Sequence, residues 1–476
     1  MPTDPAYRPD PRYAALADAF ADPVEPADFP KTLLRFRNDR WAGRVGLAGL
    51  TDAEWTSHFG RFEPLPGNQI RPLAMRYHGH QFRVYNPDLG DGRGFLFAQL
   101  RDDHDRLLDL GTKGSGRTPW SRGGDGRLTL KGGMREVLAT AMLEALGVPT
   151  SKSFSLIETG EALHRSDEPS PTRSAVLTRL SFSHLRFGTF QRLAFHEQGE
   201  LIGRLLDHIV ETYQPDLLVH EGPARTAAWF ARVVDLTAEL AARWIAAGFV
   251  HGVLNTDNMN VNGESFDYGP YRFLPQNDPN FTAAYFDHSG LYSFGRQPET
   301  VFWNLKQLAA CLTLVCEDHQ PLLGALEGFA ATYQAALRTA MLERLGVEPR
   351  SPEEDTALAA AAFTALAEGG AALRWEPFFF DWFCGPASET RALKGPRAGL
   401  YGGAAFTAFR RLISAYAPER PERLGAAYFS RAEPEELLYD EIETLWAAID
   451  KDDDWNPFNA KLARLDQTRS ALDLRS

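Results

Sequence analysis

His251 to Gly269 holds the residues best suited to chemistry in this chain: His251-Gly252-Val253-Leu254-Asn255-Thr256-Asp257-Asn258-Met259-Asn260, then Phe266-Asp267-Tyr268-Gly269. Two carboxylates and a neighbouring amide in one short loop-strand-loop stretch are a residue kit for holding Mg²⁺ against a nucleoside triphosphate. A hard dication takes oxygen ligands, and one carboxylate can take or position a proton. Asp257, Asn258 and Asp267 can supply both. Asp, Asn and Gly also gather simply because they suit turns, so the stretch needs support from elsewhere in the chain.

That support lies upstream. Leu108-Asp109-Leu110-Gly111-Thr112-Lys113 has the pattern of a strand ending in a lysine. Lys131 to Leu138 opens a helix, because Met134, Val137, Leu138, Ala141, Met142 and Ala145 recur at i, i+3, i+4 and Gly147 closes the run before Pro149. Glu136 falls off that apolar stripe, near the helix start, within reach of Lys113. A strand lysine paired with a helix glutamate is how protein kinases hold nucleotide phosphates, with an Asp-bearing catalytic loop, a metal-binding Asn five residues later and an Asp-Phe-Gly on the next hairpin. On that frame His251 and Asn258 keep their places, the catalytic Asp becomes Val253, a carboxylate returns at Asp257, and the later motif is Asp-Tyr-Gly.

Gly114-Ser115-Gly116-Arg117-Thr118-Pro119-Trp120-Ser121-Arg122-Gly123-Gly124-Asp125-Gly126-Arg127 is too polar for core and offers backbone NH groups and guanidinium forks to phosphate oxygens. Leu89-Gly90-Asp91-Gly92-Arg93-Gly94 stands where a kinase carries its glycine-rich loop, but Phe95 occupies the place of the third glycine, and Gly90-Asp91-Gly92 alone suits a hairpin turn.

Together with Tyr77-His78-Gly79-His80-Gln81-Phe82, Ser183-His184-Leu185-Arg186-Phe187-Gly188-Thr189-Phe190 and Trp303-Asn304-Leu305, these motifs resemble the selenoprotein O family, densely from about Tyr77 to Thr313. The resemblance implies a pseudokinase that binds ATP in an inverted orientation and transfers AMP to protein hydroxyls. It implies that Lys113 binds phosphate, Glu136 orients it, Asp257 accepts the proton, and Asn258 and Asp267 hold Mg²⁺ or Mn²⁺. Gly90, Gly92, Arg93, Asp125, Gly126, Arg179 and Arg186 match the family's nucleotide-contacting positions, as does Asp267. Inversion makes sense of the arginines: Arg93, Arg179 and Arg186 can grip β and γ phosphates that are now the leaving group. One departure matters. Many members carry a cysteine or selenocysteine near the C-terminus for redox control, whereas this chain ends Ser470-Ala471-Leu472-Asp473-Leu474-Arg475-Ser476, and its match weakens after about Pro321.

Composition agrees with a soluble, cytoplasmic enzyme. With 476 residues, 44% of them hydrophobic, the chain can bury a large core. Three cysteines argue for a reducing compartment. Cys311 and Cys316 lie in an apolar helical run and are expected buried, with Cys384 more exposed. No apolar stretch reaches a membrane span, and Met1-Pro2-Thr3-Asp4-Pro5 has neither a basic start nor an apolar h-region. A net charge of −13 argues against a nucleic-acid partner. The local basic cluster of Arg117, Arg122, Arg127 and Lys131 is explained more simply by the phosphates of ATP.

The expected fold is α+β and protein-kinase-like: an N-terminal extension over 1–90, Pro-rich and then irregular, a small β-rich lobe with one key helix over 91–180, and a large helical lobe with a C-terminal extension over 181–476. Ala175 to Leu180 is the strand entering the hinge. Helices are expected over Glu200–Gln214, Ala224–Ala247, Pro298–Asp318, Leu322–Leu345, Glu354–Gly369 and Glu435–Ile449, with loops near Gly369–Ala372 and Gly402–Ala404. His251 is expected to brace the catalytic loop, and His78 and His80 to serve packing, since nothing nearby completes a metal site. Three functions remain open: a metal-dependent protein adenylyltransferase, with uridylyl transfer as a variant and itself among its acceptors; a kinase-like phosphotransferase; and a catalytically inactive nucleotide-binding module.

Overall fold

The computed structural model describes residues 4–166 and 168–474; the first three residues of the proline-rich lead, Asp167 and the terminal Arg475 and Ser476 lie outside them. Its centre is an eight-stranded antiparallel sheet. In spatial order the strands are Ala21–Pro23, Leu73–Met75, Leu96–Arg101, Leu107–Lys113, Thr172–Ser181, Lys152–Leu163 and Leu33–Arg37, with Leu128–Thr129 paired beside Thr172–Ser181.

Alternation along the strands explains why both faces are covered. On Thr172–Ser181, Ala175 and Leu177 join the core beneath the Leu130–Ala145 helix, whereas Val176 and Leu180 join a second core built on Trp41, Trp55 and Phe59. Leu107 and Leu108 split the same way. The second core needs the chain before residue 91, which is therefore not irregular. It contributes three strands to the sheet and the helices Asp39–Arg44 and Asp52–Gly60, the latter opened by a Thr51–Glu54 capping box. Few of its apolar residues recur at one period, so the sequence pattern did not reveal these short elements.

The Leu130–Ala145 helix starts at Thr129, whose side chain accepts from the Gly132 N–H at 3.1 Å, and stops before Gly147, where φ is 73°. It is buried almost all round: the C-terminal helix Asn456–Leu472 packs against one side, while Arg135 donates to the Gly269 and Tyr271 carbonyls and Glu136 pairs with Lys113. Lys131 pairs with Glu443 of the Tyr439–Asp452 helix at 2.7 Å.

Beyond the sheet the chain is helical: Phe187–Phe195, Gly199–Tyr213, Gly222–Ala246, Gln297–Leu312 and Gln320–Leu345, then Pro352–Gly369, Trp375–Trp382 and Ala404–Ile413 around a separate aromatic core. The expected helices are present within a few residues of their predicted ends, except that the one expected to run to Asp318 stops at Leu312 and the last starts at Tyr439. Those at 187–195, 375–382, 404–413 and 456–472 were not foreseen. Gly370–Ala372 is a single 3-10 turn, and Ala404 begins a helix. All three cysteines are buried, Cys384 completely, against the expectation for it. Among the described residues no helix is long and apolar enough to cross a membrane.

The long Gly222–Ala246 helix ends before Gly248, whose φ of 61° turns the chain into a short strand, Phe249–Val250, paired antiparallel with Arg272–Phe273. The loop between these two strands carries Asp257 and Asp267. That hairpin is what aims both carboxylates back at the sheet.

Candidate functional site

A cleft of about 640 Å³ lies between the sheet and the helical part. Gly90, Gly92, Arg93, Lys113, Asp125, Gly126, Arg179, Arg186, Asp257, Asn258 and Asp267 all line it. The sequence-selected residues, spread over 178 positions, thus meet on one surface. Glu136 stands behind it: Lys113 reaches from the end of its strand into a buried ion pair with Glu136, and its Nζ is 3.1 Å from Asp267 Oδ1.

Asp267 is the hub. Its carboxylate accepts from Arg179 at 2.8 Å and Arg186 at 3.0 Å as well as from Lys113. Burial alone would raise its pKa, but Lys113, Arg179 and Arg186 outweigh that and hold the carboxyl well below the ordinary range. Its φ of 66° is a left-handed value that a non-glycine residue adopts at a cost, and the three cations fix it there.

Arg186 extends the network. Its guanidinium lies between the rings of Tyr77 and Phe266, 4.5 and 4.7 Å from their centroids, donates to the Asp257 carbonyl at 2.8 Å, and approaches Asp91 at 3.5 Å. Asp257 is 8% exposed, and its Oδ1 has no hydrogen-bond partner. Burial raises its pKa to about 7, against the pull of Arg186. A carboxylate held near neutrality in a cleft is suited to taking a proton. The Asn258 amide donates to the Val253 carbonyl at 2.9 Å, which leaves its side-chain oxygen for another partner.

The glycine-bearing loops are held by side chains that had been given no role. Thr118 Oγ1 donates to the Asp91 carbonyl at 2.6 Å and Ser121 Oγ to the Gly92 carbonyl at 2.5 Å, so the two loops are tied together. Trp120 covers Gly90 so closely that a Cβ there would lie 2.4 Å from its ring. Gly90 is a packing necessity and not the tip of a hairpin. Gly79 is similar: a Cβ on it would stand 2.9 Å from Asp257 Oδ1. Tyr77, Gly79, Asp91 and Trp120 all lie in quoted motifs, but the sequence singles out none of them as an individual residue. Close approach leaves no periodic signal.

Several charges serve other ends. Asp125 accepts from Arg165 at 2.8 Å and from the Arg127 N–H at 2.9 Å, and its pKa lies below the ordinary value because these hydrogen bonds outweigh burial. Arg127 pairs with Glu161 and Lys131 with Glu443, so of the expected basic cluster only Arg122 and Arg127 line the cleft, and Arg127 is committed. His251 is fully buried; its Nε2 donates to the Phe266 carbonyl at 2.9 Å while Gln297 receives its backbone N–H at 3.0 Å. That is bracing. His78 lies against Tyr85 at 2.8 Å and His80 accepts from Gln191 at 2.7 Å. Among the described residues no three His, Cys, Asp or Glu side chains gather as a metal cluster.

Comparison with known proteins places this geometry. The sequence profile described as "Protein adenylyltransferase SelO" matches residues 6–466, well beyond the stretch in which the resemblance was first legible and through the C-terminal part where it had weakened. Proteins named "Protein nucleotidyltransferase YdiU" from Synechocystis and Gloeobacter violaceus are 44% and 46% identical; each alignment covers 96% of this chain, and 97% and 94% of the respective relatives. One of the same name from Vibrio cholerae is 38% identical over 75% of this chain and 71% of its own length. The chain therefore belongs to the SelO family of protein adenylyltransferases, a family of nucleotidyltransferases.

Proposed function

We propose that this chain transfers AMP from ATP to Ser, Thr or Tyr hydroxyls of proteins and releases pyrophosphate, on a kinase-like bilobal scaffold with residues 1–90 as an extension, 91–180 as the small lobe and 181–476 as the helical lobe. The observation that carries the reading is the charge order in the cleft. Lys113, Arg179 and Arg186 are concentrated at its inner wall, and a carboxylate with an open oxygen, Asp257, sits beside them.

Deep cations suit a leaving pyrophosphate. With β and γ phosphates held inward by these groups and by Arg93, the α phosphorus faces Asp257. The acceptor oxygen bonds to it, the bond to the β-phosphate oxygen breaks, and the hydroxyl proton passes to Asp257. Lys113 is kept extended by Glu136. As phosphate draws Lys113, Arg179 and Arg186 toward itself, Asp267 loses cation partners and its oxygens become available. The donor set then fits a hard dication: Asn258 Oδ1 and Asp267 would hold Mg²⁺ or Mn²⁺, which supplies charge neutralisation at the phosphates. Val253, in place of the kinase catalytic Asp, argues against ordinary phosphoryl transfer to an acceptor.

The test is intact mass after incubation with ATP and Mg²⁺ or Mn²⁺, using the protein itself as acceptor and a protein mixture as a second. A gain of about 329 Da per site is AMP, absent with Lys113→Ala. A gain of about 80 Da would return the chain to the phosphotransferases, and no gain with ATP still bound would make it an inactive nucleotide-binding module.

A further inference from the structure

The cleft has an aromatic rim that the chemistry above does not use. Gly79–Gln81 and Val84–Asn86 form a hairpin whose two-residue turn is Phe82-Arg83, both at positive φ, 51° and 63°. Such turns favour Asn-Gly, and a bulky aromatic holds that conformation only at a backbone cost. What holds it is the catalytic loop itself. The Phe82 N–H donates to Asn255 Oδ1 at 3.2 Å and to Tyr292 Oη at 3.1 Å, and Tyr292 Oη donates to the same Asn255 oxygen at 2.7 Å. Asn255 lies two residues before Asp257.

Against Phe82 stands the loop carrying Tyr285 and Phe286. The Phe82 and Phe286 rings are 5.8 Å apart and those of Tyr285 and Phe286 5.1 Å. Tyr285 is 77% exposed and Phe286 42%. This loop is built: the buried Asp287 carboxylate accepts from the Leu291 and Tyr292 N–H groups at 2.9 and 2.8 Å. Exposed aromatic side chains on a tied-down loop mark an interaction surface. Nearby charges are spent on one another, since Arg83 and Arg296 both pair with Glu299. With Asp287 as the second counter-charge to the two arginines, the surface offers apolar contact with balanced charge, and it is continuous with the cleft, which Gln81 of the same hairpin also lines.

We infer that Phe82, Tyr285 and Phe286 form the seat for the acceptor polypeptide and receive an apolar side chain a few residues from the hydroxyl that is modified. The inference rests on the transfer to protein hydroxyls proposed above. Gln81 on the cleft wall and the Phe82 N–H on Asn255 put this rim beside the approach to Asp257, where the flanks of an acceptor hydroxyl would lie.

The test uses peptides with a central Tyr, Ser or Thr and randomised flanks, incubated with ATP and Mg²⁺ or Mn²⁺ and sequenced by mass spectrometry. The full-length protein is expected to select Leu, Ile, Met or Phe at one flanking position. With the best peptide, Phe286→Ala and Tyr285→Ala should each raise KM about tenfold with kcat nearly unchanged, and Phe286→Leu should recover most of the loss. The affinity of the variants for ATP should be unaffected. Flat flanks, the same selection in the alanine variants, or unlabelled peptides beside a self-modifying enzyme would overturn the seat. So would variants that alter only self-association, which would make the face a contact between copies. Phosphate in place of AMP on the peptides would sink the adenylyl reading, while apolar selection lost in Phe286→Ala would still support the seat.

Discussion

Asp267 and Asp381 are both mostly buried carboxylates gripped by arginine, yet one sits in the cleft and the other within the helical core. Asp381 accepts from Arg397 through both oxygens at 2.8 Å and from Tyr401 at 2.5 Å, and none of the three has an unpartnered buried side-chain atom. Around Asp267 the balance is different. Three cations share one carboxylate, and Glu136 Oε2, Arg179 Nε, Arg186 Nε and Asp257 Oδ1 are buried without partners. The Asp381 cluster closes its valences, and an unmet buried polar group costs about 1–3 kcal/mol. A cluster that serves binding keeps some open for a ligand that arrives later.

The comparison breaks first at Asp267→Ala. AMP transfer should fall by on the order of 10³-fold or more, measured as adenylylated protein per unit time, because the substitution removes the carboxylate assigned to the metal and disperses the cations. If transfer merely follows a lower unfolding midpoint, Asp267 is a structural charge like Asp381.

Asp257→Asn is the next largest effect, a loss of about a hundredfold, the usual worth of a positioned base. It is sharpened by pH. Since burial holds Asp257 at about 7, transfer by the native protein should rise as pH increases through that value, and the Asn variant should lose the rise. Stability runs in opposite senses at the two carboxylates. Asp267, held low, contributes stability above the ordinary carboxylate range that is lost as pH falls below it. Asp257, held high, binds a proton more tightly folded than unfolded, so its contribution declines as pH rises toward 7. A pH–rate profile that is identical in the native and Asn proteins would remove Asp257 from the proton transfer.

Asp381→Ala should have the smallest effect on chemistry and a clear one on folding. Arg397 keeps Glu433 at 2.7 Å but loses its two-pronged partner, which should cost about 1–3 kcal/mol in denaturant unfolding, while the folded fraction keeps its transfer rate within about twofold. A large loss of specific activity would show that the helical core and the cleft are coupled after all.

Much of the cleft was legible in the sequence because its chemistry needs particular residue types in a fixed order: a strand lysine, a helix glutamate, then Asp257, Asn258 and Asp267. What was misjudged shares a cause. The helix Asn456–Leu472, which no expected element covers, is held by packing against Leu130–Ala145 from the far end of the chain. Cys384 and the strands before residue 91 were misjudged for the same reason: partners distant in sequence decide burial.

By itself the sequence determined the kinds of groups available, the helices with sustained 3.6-residue periodicity, and the family. Those follow from local pattern and residue chemistry. Only the tertiary structure decided that Arg179 and Arg186 converge on Asp267, that Gly79 and Gly90 must lack a side chain, and that Asp257 is dry enough to hold a proton near neutrality. Electrostatics and close packing depend on distances of a few ångströms between residues far apart in the chain, and no local pattern encodes such distances.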